Sequence, residues 1–510
     1  MLEDFIYMFR AAKLPYNVIN ICKSDGETLN PEIQPTVFFL KPDSCTVKDP
    51  FINSGFQLET KNRAITNIFI GTHLSNEFLQ SLNDFQKVNH FTSLSLIGSK
   101  DGLHVRMIEL KERLGHPVPF YPFAFYPPVD YEELLEAWHT KPLWIIKAPA
   151  LSRARYIRLA YSANEPAPKF PYVVEEYISP PFLITGRKFD IRIYAVVTSI
   201  EPLIFYFHNQ GLILFATHLY DEKGDINDLK MHLTNYEINK DSKEFVECNE
   251  SEEKVENSKW SLPFFWKYME SIGVDSKKLQ KDVEEVATST IIAGMCPVRN
   301  KHRELIKFKR KSSFEIFGID ILLDSNLKPY ILEVNVSPGM HDTSELDKRV
   351  KLEVNCDMFN IVRILQVSSL EPKQYRGYFE HEKLYLRSKT EKRLSDVIND
   401  NIDPWENPTF ADYTIVREFI EEQERKRGFH RAYPKKSNIH KYENYFDHYT
   451  YEDIVLNKWL MRDKQQRFDV LMNYFYSYSD SMTICRNACE VDPDKVDEGK
   501  KNEDQSCNIE

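Results

Sequence analysis

Two β-rich arms around one short polar turn, within residues 314–336, constrain the fold of this chain more than any other segment. The arms FGIDILL and PYILEVNV flank the turn DSNLK at 324–328. A hairpin folded about the centre of this turn places Asp320 opposite Glu333. Asn335 lies two residues after Glu333 and therefore shares its strand face. The segment predicts an antiparallel strand pair that brings three oxygen-bearing side chains together.

These three side chains suit a divalent cation. Mg²⁺ prefers oxygen ligands, and carboxylates in an apolar setting are costly unless a cation compensates their charge. The residues around Asp320 and Glu333 are mostly Ile, Leu and Val. The alternative is a hairpin whose carboxylates face water. The apolar flanks favour the metal site.

A row of alternating charges precedes the hairpin in sequence. Residues 188–194 read KFDIRIY, so Lys188, Asp190 and Arg192 share one strand face while apolar residues share the other. Such a row could meet a phosphate chain and its metal. Taken alone, it favours an ordinary half-exposed strand whose charges pair with one another, and the neighbouring metal cluster shifts that balance.

Two further motifs carry weaker signals. HLTNY at 232–236 supplies hydrogen-bonding groups that suit ribose, phosphate or metal-bound water, with a polar helix-capping turn as the alternative. Lys147 ends a short buried strand, WIIK, and leads into a loop at 148–157, a place where phosphate-covering loops occur. This loop contains no glycine, so its backbone N–H groups approach an anion less well.

Length and composition exclude several classes of protein. A chain of 510 residues with 42% hydrophobic residues is globular and long enough for several domains. It contains no apolar run of membrane-spanning length and does not begin like a signal peptide, so we expect a cytosolic protein with reduced cysteines. The net charge of −11 argues against nucleic acid as the partner. The basic stretches 299–311 and 425–441 are either solvated surfaces or sites for a polyanion such as an acidic polypeptide.

The ordered motifs resemble the tubulin–tyrosine-ligase-like family from about Val88 to about Asn360. The matching stretches are IGSKD, WIIK, EEYISPPFLITGRKFDIRIYAVVTS, GLILFAT, HLTNYEINK and FGIDILLDSNLKPYILEVNVSP. In detail they are most similar to the polyglutamylase branch. The resemblance implies an α/β (α+β) fold with an ATP-grasp ligase core and a mixed or antiparallel sheet.

Together with the composition, the resemblance predicts five segments. These are an N-terminal α/β module (1–95), a central ATP-grasp subdomain (96–185), a C-terminal ATP-grasp subdomain with the metal site (186–370), a helical, partly basic extension (371–480) and an acidic, disordered tail (481–510). Within the extension, apolar residues at helical spacing over 409–427 predict a docked helix.

The resemblance also implies residue roles. Arg192 and Lys188 are expected to act in catalysis, with Arg192 steadying an acyl phosphate. The residues expected to contact ATP are Lys100, Lys147, Arg153, Glu175, Glu176, Tyr177, Ile178, Lys188, Asp190, Thr234 and Asn235. Asp320, Glu333 and Asn335 match the Mg²⁺ ligands, and the positions near the incoming amino acid are Tyr236, Lys351 and Leu214.

The implied reaction uses ATP and Mg²⁺. A glutamate side chain on a tubulin tail becomes an acyl phosphate, and the α-amine of free glutamate attacks it to form an isopeptide bond. We therefore expect tubulin tails on microtubules and a free amino acid as partners, no membrane, and a monomer. The expected location is the cytoplasm and its microtubules, with the cilium or axoneme included.

Three positions depart from the family pattern. Residues 153–156 read Arg-Ala-Arg-Tyr where Arg-Gly-x-Gly is usual, and Glu237 follows HLTNY where a serine is common. Leu214 replaces an arginine expected to hold the carboxylate of the amino acid, and leucine cannot make that charge-assisted contact. Three interpretations stay open: a glutamate ligase, a weakened relative that binds nucleotide and microtubules as a scaffold, and a ligase for another amino acid such as glycine. The retained metal ligands and Arg192 favour the first.

Overall fold

The computed structural model describes most of the chain. The described residues are 17–21, 35–40, 44–59, 66–71, 74–83, 85–149, 156–169, 171–248, 253–306, 311–366, 397 and 402–473. The prediction for Arg153, the prediction for the tail 481–510, and most of residues 371–401 of the predicted extension lie outside these residues.

A small parallel sheet lies near the start of the described chain. Its strands are β2 (Thr36–Leu40), β3 (Gln57–Leu58), β4 (Ile68–Gly71) and β5 (Lys87–Val88), whereas the preceding strand β1 (Asn17–Val18) pairs antiparallel with Leu365–Gln366. The order in the sheet is β3-β2-β4-β5, and helices α1 (Cys45–Asn53) and α2 (Asn76–Ser81) lie between its strands in sequence. Parallel neighbours need crossover connections, which these helices supply. The arrangement is α/β in type.

A second, antiparallel sheet follows two helices, α3 (Ser95–Gly98) and α4 (Lys100–Leu114). Its strands are β6 (Ala124–Phe125), β7 (Leu143–Lys147), β8 (Ile157–Tyr161) and β9 (Val173–Glu176), in the order β6-β9-β7-β8, with α5 (Pro127–Ala137) between the first two in sequence. The short strand predicted to end at Lys147 is β7. This antiparallel sheet of β6 to β9, and not the parallel sheet of β2 to β5, is called the small sheet below.

The central sheet is antiparallel and carries the predicted hairpin. Its strands are β10 (Phe189–Ile200), β11 (Leu203–Phe215), β12 (Lys259–Ser261), β13 (Glu315–Leu323) and β14 (Pro329–Val336), in the order β12-β11-β10-β13-β14. Asp320 lies opposite Glu333, as the sequence predicted. Asp324 holds the hairpin turn, because its carboxylate accepts hydrogen bonds from the backbone N–H groups of Asn326 and Lys328.

The helices between β11 and β13 are α6 (Leu229–His232), α7 (Tyr236–Asn239), α8 (Leu262–Ser271) and α9 (Ser276–Leu305). Helix α9 continues through Pro297 to Leu305. The basic stretch 299–311 therefore begins inside this helix. Its first residue, Arg299, is buried and lies 2.7 Å from Asp453, so the stretch is not a continuous solvated surface.

The C-terminal elements are not all helical, in contrast to the expectation for 371–480. After α10 (Glu345–Ile361) and β15 (Leu365–Gln366), they comprise α11 (Phe410–Glu424), β16 (Phe429–Tyr433) and α12 (Tyr451–Met461). Strand β16 pairs with β11 and so adds a sixth strand to the central sheet. Its sequence, FHRAY, lies within a basic stretch, and only its pairing with β11 identifies it as a strand. The helix predicted over 409–427 is α11.

Both faces of the central sheet are covered. Phe189, Ile191 and Ile193 of β10 belong to a buried cluster with residues of α4, α8 and α9. On the other face, Tyr194 and Tyr206 pack in a second cluster with residues of α10, α11 and α12. The two-residue alternation of β10 therefore separates an apolar face from a face that begins with Asp190 and Arg192.

Candidate functional site

The predicted metal ligands converge on adjacent strands of the central sheet. Asp320 on β13 is in register with both Glu333 on β14 and Arg192 on β10. The Nδ2 atom of Asn335 lies 3.1 Å from Asp320 Oδ2 and 3.1 Å from Glu333 Oε1. Rotation of this amide by 180° presents its oxygen to the same point.

Two cations balance these carboxylates. Arg192 Nε donates to Asp320 Oδ1 at 2.6 Å, and its terminal nitrogen donates to the second oxygen. Lys100, the first residue of α4, has its Nζ atom 3.5 Å from Glu333. Burial raises the pKa of Asp320 to about 7, with Arg192 acting against this and Glu333 adding to it. Burial also acts to raise the pKa of Glu333, but Lys100, Arg192 and Lys147 bring it below its ordinary value.

Asp190 supports a fit to a cation. Its Oδ1 atom is buried and has no hydrogen-bond partner among the described residues, while Oδ2 accepts from the hydroxyl of Thr234. Burial raises the pKa of Asp190, opposed by Lys188 and by the Thr234 hydrogen bond. A buried carboxylate oxygen without a donor is costly, and a metal ion or a metal-bound water removes that cost. The donor set at this end of the site is therefore one that Mg²⁺ accepts.

Lys188 is held between β10 and the HLTNY segment. Its Nζ atom donates to the carbonyl of His232 at 2.9 Å and lies 4.5 Å from the centre of the Tyr177 ring. The Tyr177 hydroxyl in turn is 2.9 Å from His232 Nδ1. Burial lowers the pKa of Lys188, and Asp190 opposes that shift. These contacts fix a buried ammonium group at the cleft wall.

Charged residues of the small sheet face the same cleft. Lys147 Nζ and Glu175 Oε2 are 2.5 Å apart, and both side chains are buried. Lys141 similarly pairs with Glu176 at 2.6 Å, with both side chains partly exposed. The cleft between the two sheets holds about 810 Å³ of empty space, part of it open to solvent.

Most of the predicted site residues line this cleft. They are Lys100, Lys147, Glu175, Glu176, Tyr177, Ile178, Lys188, Asp190, Arg192, Leu214, Thr234, Asn235, Asp320 and Glu333. Asn335 contacts the cleft residues Asp320 and Glu333. Tyr236 and Lys351 are not part of the lining, and Arg153 lies outside the described residues.

Apolar residues of the lining were not identified from the sequence. Ile145 and Ile157 come from the small sheet, and Leu322 and Leu332 from the central sheet. Ile145 and Leu322 lie two residues from Lys147 and Asp320, so strand alternation could have identified them. Leu332 could not be found this way, because the register skips it between the Asp320 and Ile321 pairs. This β-bulge places two successive residues, Leu332 and Glu333, in the lining.

Tyr236 and Lys351, near the expected amino-acid position, lie apart from the cleft lining. In this region, the negative charge of Glu237 is compensated by a lysine. Glu237 lies 2.5 Å from Lys240, one helical turn along the chain, with both side chains more than a third exposed. The anion noted in the sequence therefore has a cation beside it.

Lys351 donates to the carbonyl of His341 at 2.6 Å and lies 3.1 Å from Asp347.

One residue of the glycine-free loop has a backbone conformation that is typical of glycine. Tyr156, where the family pattern has its second glycine, has φ = +58° and is 72% exposed. A side chain in this left-handed region costs about 1 kcal/mol. The conformation that glycine adopts readily is thus retained here by a tyrosine.

The cleft between the two sheets is lined by cations and by the carboxylates of the hairpin, a set of groups that suits a phosphate chain and a metal ion. A model of the tubulin-tyrosine ligase family matches residues 78–372. The chain therefore belongs to the tubulin-tyrosine ligase family.

Curated relatives lie in one part of this family. The chain is 28% identical to tubulin monoglutamylase TTLL4 of Mus musculus, over 92% of this chain and 40% of the relative. It is 29% identical to tubulin polyglutamylase TTLL5 of Homo sapiens, over 83% of this chain and 35% of the relative. Identity to tubulin polyglutamylase ttll-4 of Caenorhabditis elegans is 31%, over 78% of this chain and 67% of the relative. The chain thus spans well under half the length of the first two relatives. Within its described part, no helix is both long and apolar enough to cross a bilayer.

Proposed function

We propose that this protein is an ATP- and Mg²⁺-dependent ligase with an ATP-grasp core, which adds glutamate to glutamate side chains of tubulin tails. The observation that carries the proposal is the convergence of Lys147, Lys188 and Arg192 with the Asp320–Glu333–Asn335 cluster in one cleft. Cations and metal-binding carboxylates together are what phosphoryl transfer requires. The names of the relatives point to tubulin and glutamate as substrates.

In the proposed complex, the nucleotide base lies between the apolar residues of the two sheets. Ile145 and Leu322 offer flat apolar contacts from opposite sheets, and Glu176 to Ile178 supply backbone groups beside them. The phosphates extend toward Lys147 and Lys188. Lys147 releases Glu175 and binds a phosphate oxygen, because its ammonium group has only three N–H donors.

The chain's residues then handle the charge that develops during transfer. Asp320, Glu333 and Asn335 would hold Mg²⁺, which would neutralise charge on the transferring phosphoryl group. Arg192, which is paired with Asp320 in this structure, has the planar fork that would bind the acyl phosphate of the acceptor glutamate. The amine of the incoming glutamate attacks the carbonyl carbon of the acyl phosphate. The bond from this carbon to the phosphate oxygen breaks, phosphate departs and an isopeptide bond forms.

An acidic tubulin tail has a candidate surface in the second basic stretch. Within 425–441, Lys426, Lys436 and Lys441 are exposed. Of the first stretch, Arg299 is buried and Lys311 is paired with Glu422 at 3.1 Å. We therefore place the tail-binding contribution on the second stretch, with the protein acting as a monomer on cytoplasmic microtubules, those of cilia or axonemes included.

Leu214 supports a second candidate function, a weakened relative that binds nucleotide and microtubules as a scaffold. One experiment separates the candidates. Pure protein is incubated with microtubules, MgATP and labelled glutamate, glycine or tyrosine in parallel, with tail-free microtubules and a Glu333→Gln variant as controls. We expect glutamate label on tailed microtubules with the unaltered protein. No label above the controls with any amino acid would refute the ligase and favour the scaffold, and glycine label alone would assign a different amino acid.

A further inference from the structure

A lysine that the family pattern did not draw attention to stands directly beside Leu214. Lys259 on β12 is in register with Leu214 on β11. Residues opposite one another on antiparallel strands share a face, with their Cβ atoms about 5 Å apart. Asp190 is the partner of Leu214 on the other side. A side chain leaving position 259 can therefore reach the space that an arginine at position 214 would fill.

Lys259 belongs to a buried cluster with an excess of positive charge. Its Nζ atom lies 2.7 Å from Asp347 Oδ2, while Lys351 lies 3.1 Å from Oδ1 of the same carboxylate. The three side chains are 10%, 8% and 0% exposed for Lys259, Lys351 and Asp347. Two cations thus share one anion, and that anion lies in the first turn of α10, where the helix dipole already compensates it. Among the described residues, one buried positive charge therefore remains without an anion of its own.

Neighbouring carboxylates do not supply that anion. Asp320 is bound by Arg192, and Glu237 is paired with Lys240. Glu253, which accepts from Ser261 at the end of β12, lies 2.7 Å from Arg349. Burying an unbalanced cation is costly, so an excess charge of this kind indicates an anionic ligand.

Lys259 has one N–H donor beyond those used by its hydrogen-bond partners among the described residues. Its Nζ atom contacts Asp347 and the Thr343 hydroxyl, at 2.7 and 3.1 Å, which uses two of three N–H donors. It also lies 4.1 Å from the centre of the Tyr236 ring, which the sequence placed near the incoming amino acid. Burial lowers the pKa of the neighbouring Lys351, Asp347 opposes this, and repulsion from Lys259 and Arg192 adds to it, so the cations lie close together.

We propose that Lys259 binds a carboxylate of the incoming amino acid, the contact that Leu214 cannot make. Lys351 keeps Asp347 neutralised while Lys259 turns its remaining donor to the substrate. The inference rests on the proposed function and deepens it, because it identifies the residue that recognises the amino acid. It makes Lys259 a specificity-determining residue on β12, a strand separate from the one that carries the arginine in the family pattern.

The test compares Lys259→Gln with the unaltered protein and with Lys259→Arg. We expect Lys259→Gln to raise the KM for glutamate about 10–100-fold with the KM for ATP unchanged, because a hydrogen bond to a charged group is lost. Lys259→Arg keeps the charge and should restore most of the affinity. Lys240→Gln, at a partly exposed lysine that pairs with Glu237, is the matched control and should change the KM for glutamate less than about twofold.

Binding of free amino acids separates this inference from the proposed ligase activity. Calorimetry in the presence of MgADP measures the affinity for glutamate and for glutamine, which lacks the side-chain carboxylate, without any turnover. Weaker binding of both to Lys259→Gln assigns the α-carboxylate, and weaker binding of glutamate alone assigns the side-chain carboxylate. An unchanged glutamate affinity in this variant, or no glutamate binding by the unaltered protein, would overturn the inference. A retained MgADP-induced rise in Tm shows that each variant is folded.

Discussion

The proposed phosphate end of the cleft and the proposed amino-acid end beside Leu214 are assembled differently. At the phosphate end, each of three cations faces one carboxylate, in the pairs Lys147–Glu175, Lys100–Glu333 and Arg192–Asp320. At the amino-acid end, two lysines share Asp347 and Leu214 occupies the central strand position.

The difference shows how each end can tolerate substitution. The carboxylates of the metal cluster lie on one hairpin, so their geometry depends on a single register. The amino-acid end draws on β11, β12, α7 and α10, which are far apart in the chain. A residue lost from one of these elements can be replaced in function by a side chain from another, whereas a lost metal ligand cannot.

The strongest test of the contrast is Glu333→Gln at the phosphate end. Glutamine keeps the shape but removes a charge that Mg²⁺ requires, so we expect amino-acid incorporation to fall roughly 100–1,000-fold. The Mg²⁺-dependent part of the nucleotide-induced rise in Tm should disappear as well. The matched control is Glu112→Gln, an exposed position on α4. Unchanged Mg²⁺-dependent nucleotide binding in Glu333→Gln would contradict the metal assignment.

Lys188→Met tests whether the two ends can be separated. The variant removes the buried ammonium group that contacts the His232 carbonyl. We expect the KM for ATP to rise about 10–100-fold, as for a lost charge-assisted contact, while the KM for glutamate stays within about twofold. Steady-state kinetics with each substrate varied in turn measures both values. Lys223→Met, on the exposed loop before α6, is the control. A rise of equal size for both substrates would show that the ends act as one unit.

Leu214→Arg tests the amino-acid end by restoring the residue of the family pattern. We expect glutamate incorporation to increase about 3–10-fold, since a bidentate carboxylate contact becomes available. The gain should be larger in a Lys259→Gln background, because the two side chains then no longer compete for the same carboxylate. The control is Leu219→Arg at a leucine that is 68% exposed. No gain in either background would mean that the substrate is recognised elsewhere.

The smallest expected effect concerns Tyr156, a described residue of the glycine-free loop. Tyr156 has a left-handed backbone, which glycine adopts without a steric penalty. We expect Tyr156→Gly to be more stable than Tyr156→Ala by about 1 kcal/mol in urea unfolding, because alanine retains the Cβ atom that clashes. Equal stabilities would indicate that this conformation is not populated in solution.

Strand alternation explains why the metal cluster could be predicted. Asp320, Glu333 and Asn335 lie on one hairpin, and Asp320 faces Glu333 as predicted. Nearer the turn, the pairs differ by one residue from a hairpin folded about the Asn326–Leu327 bond, and the β-bulge at Leu332 restores the predicted pair. The row of Lys188, Asp190 and Arg192 faces the cleft for the same reason. The family resemblance added residues from distant segments, and the comparisons confirm the family.

Other features depend on contacts between distant segments and escaped prediction. The bulge that places Leu332 in the lining depends on how β14 pairs with β13. β16 became a strand by pairing with β11, although its sequence lies in a basic stretch expected to be helical or solvated. Arg299 began an apparently solvated basic run, but its pairing with Asp453 buries it.

By itself, the sequence determined the hairpin of β13 and β14, the faces on which the charges of β10, β13 and β14 lie, and the family to which the chain belongs. These properties follow from two-residue periodicity, turn chemistry and ordered motifs, all of which are local. The tertiary structure alone decided which cations share which carboxylates, and hence that Lys259 stands beside Leu214 with a charge in excess. Charge balance in a buried site is summed over neighbours in space, and residues 214, 259 and 347 become neighbours only when β11, β12 and α10 pack together.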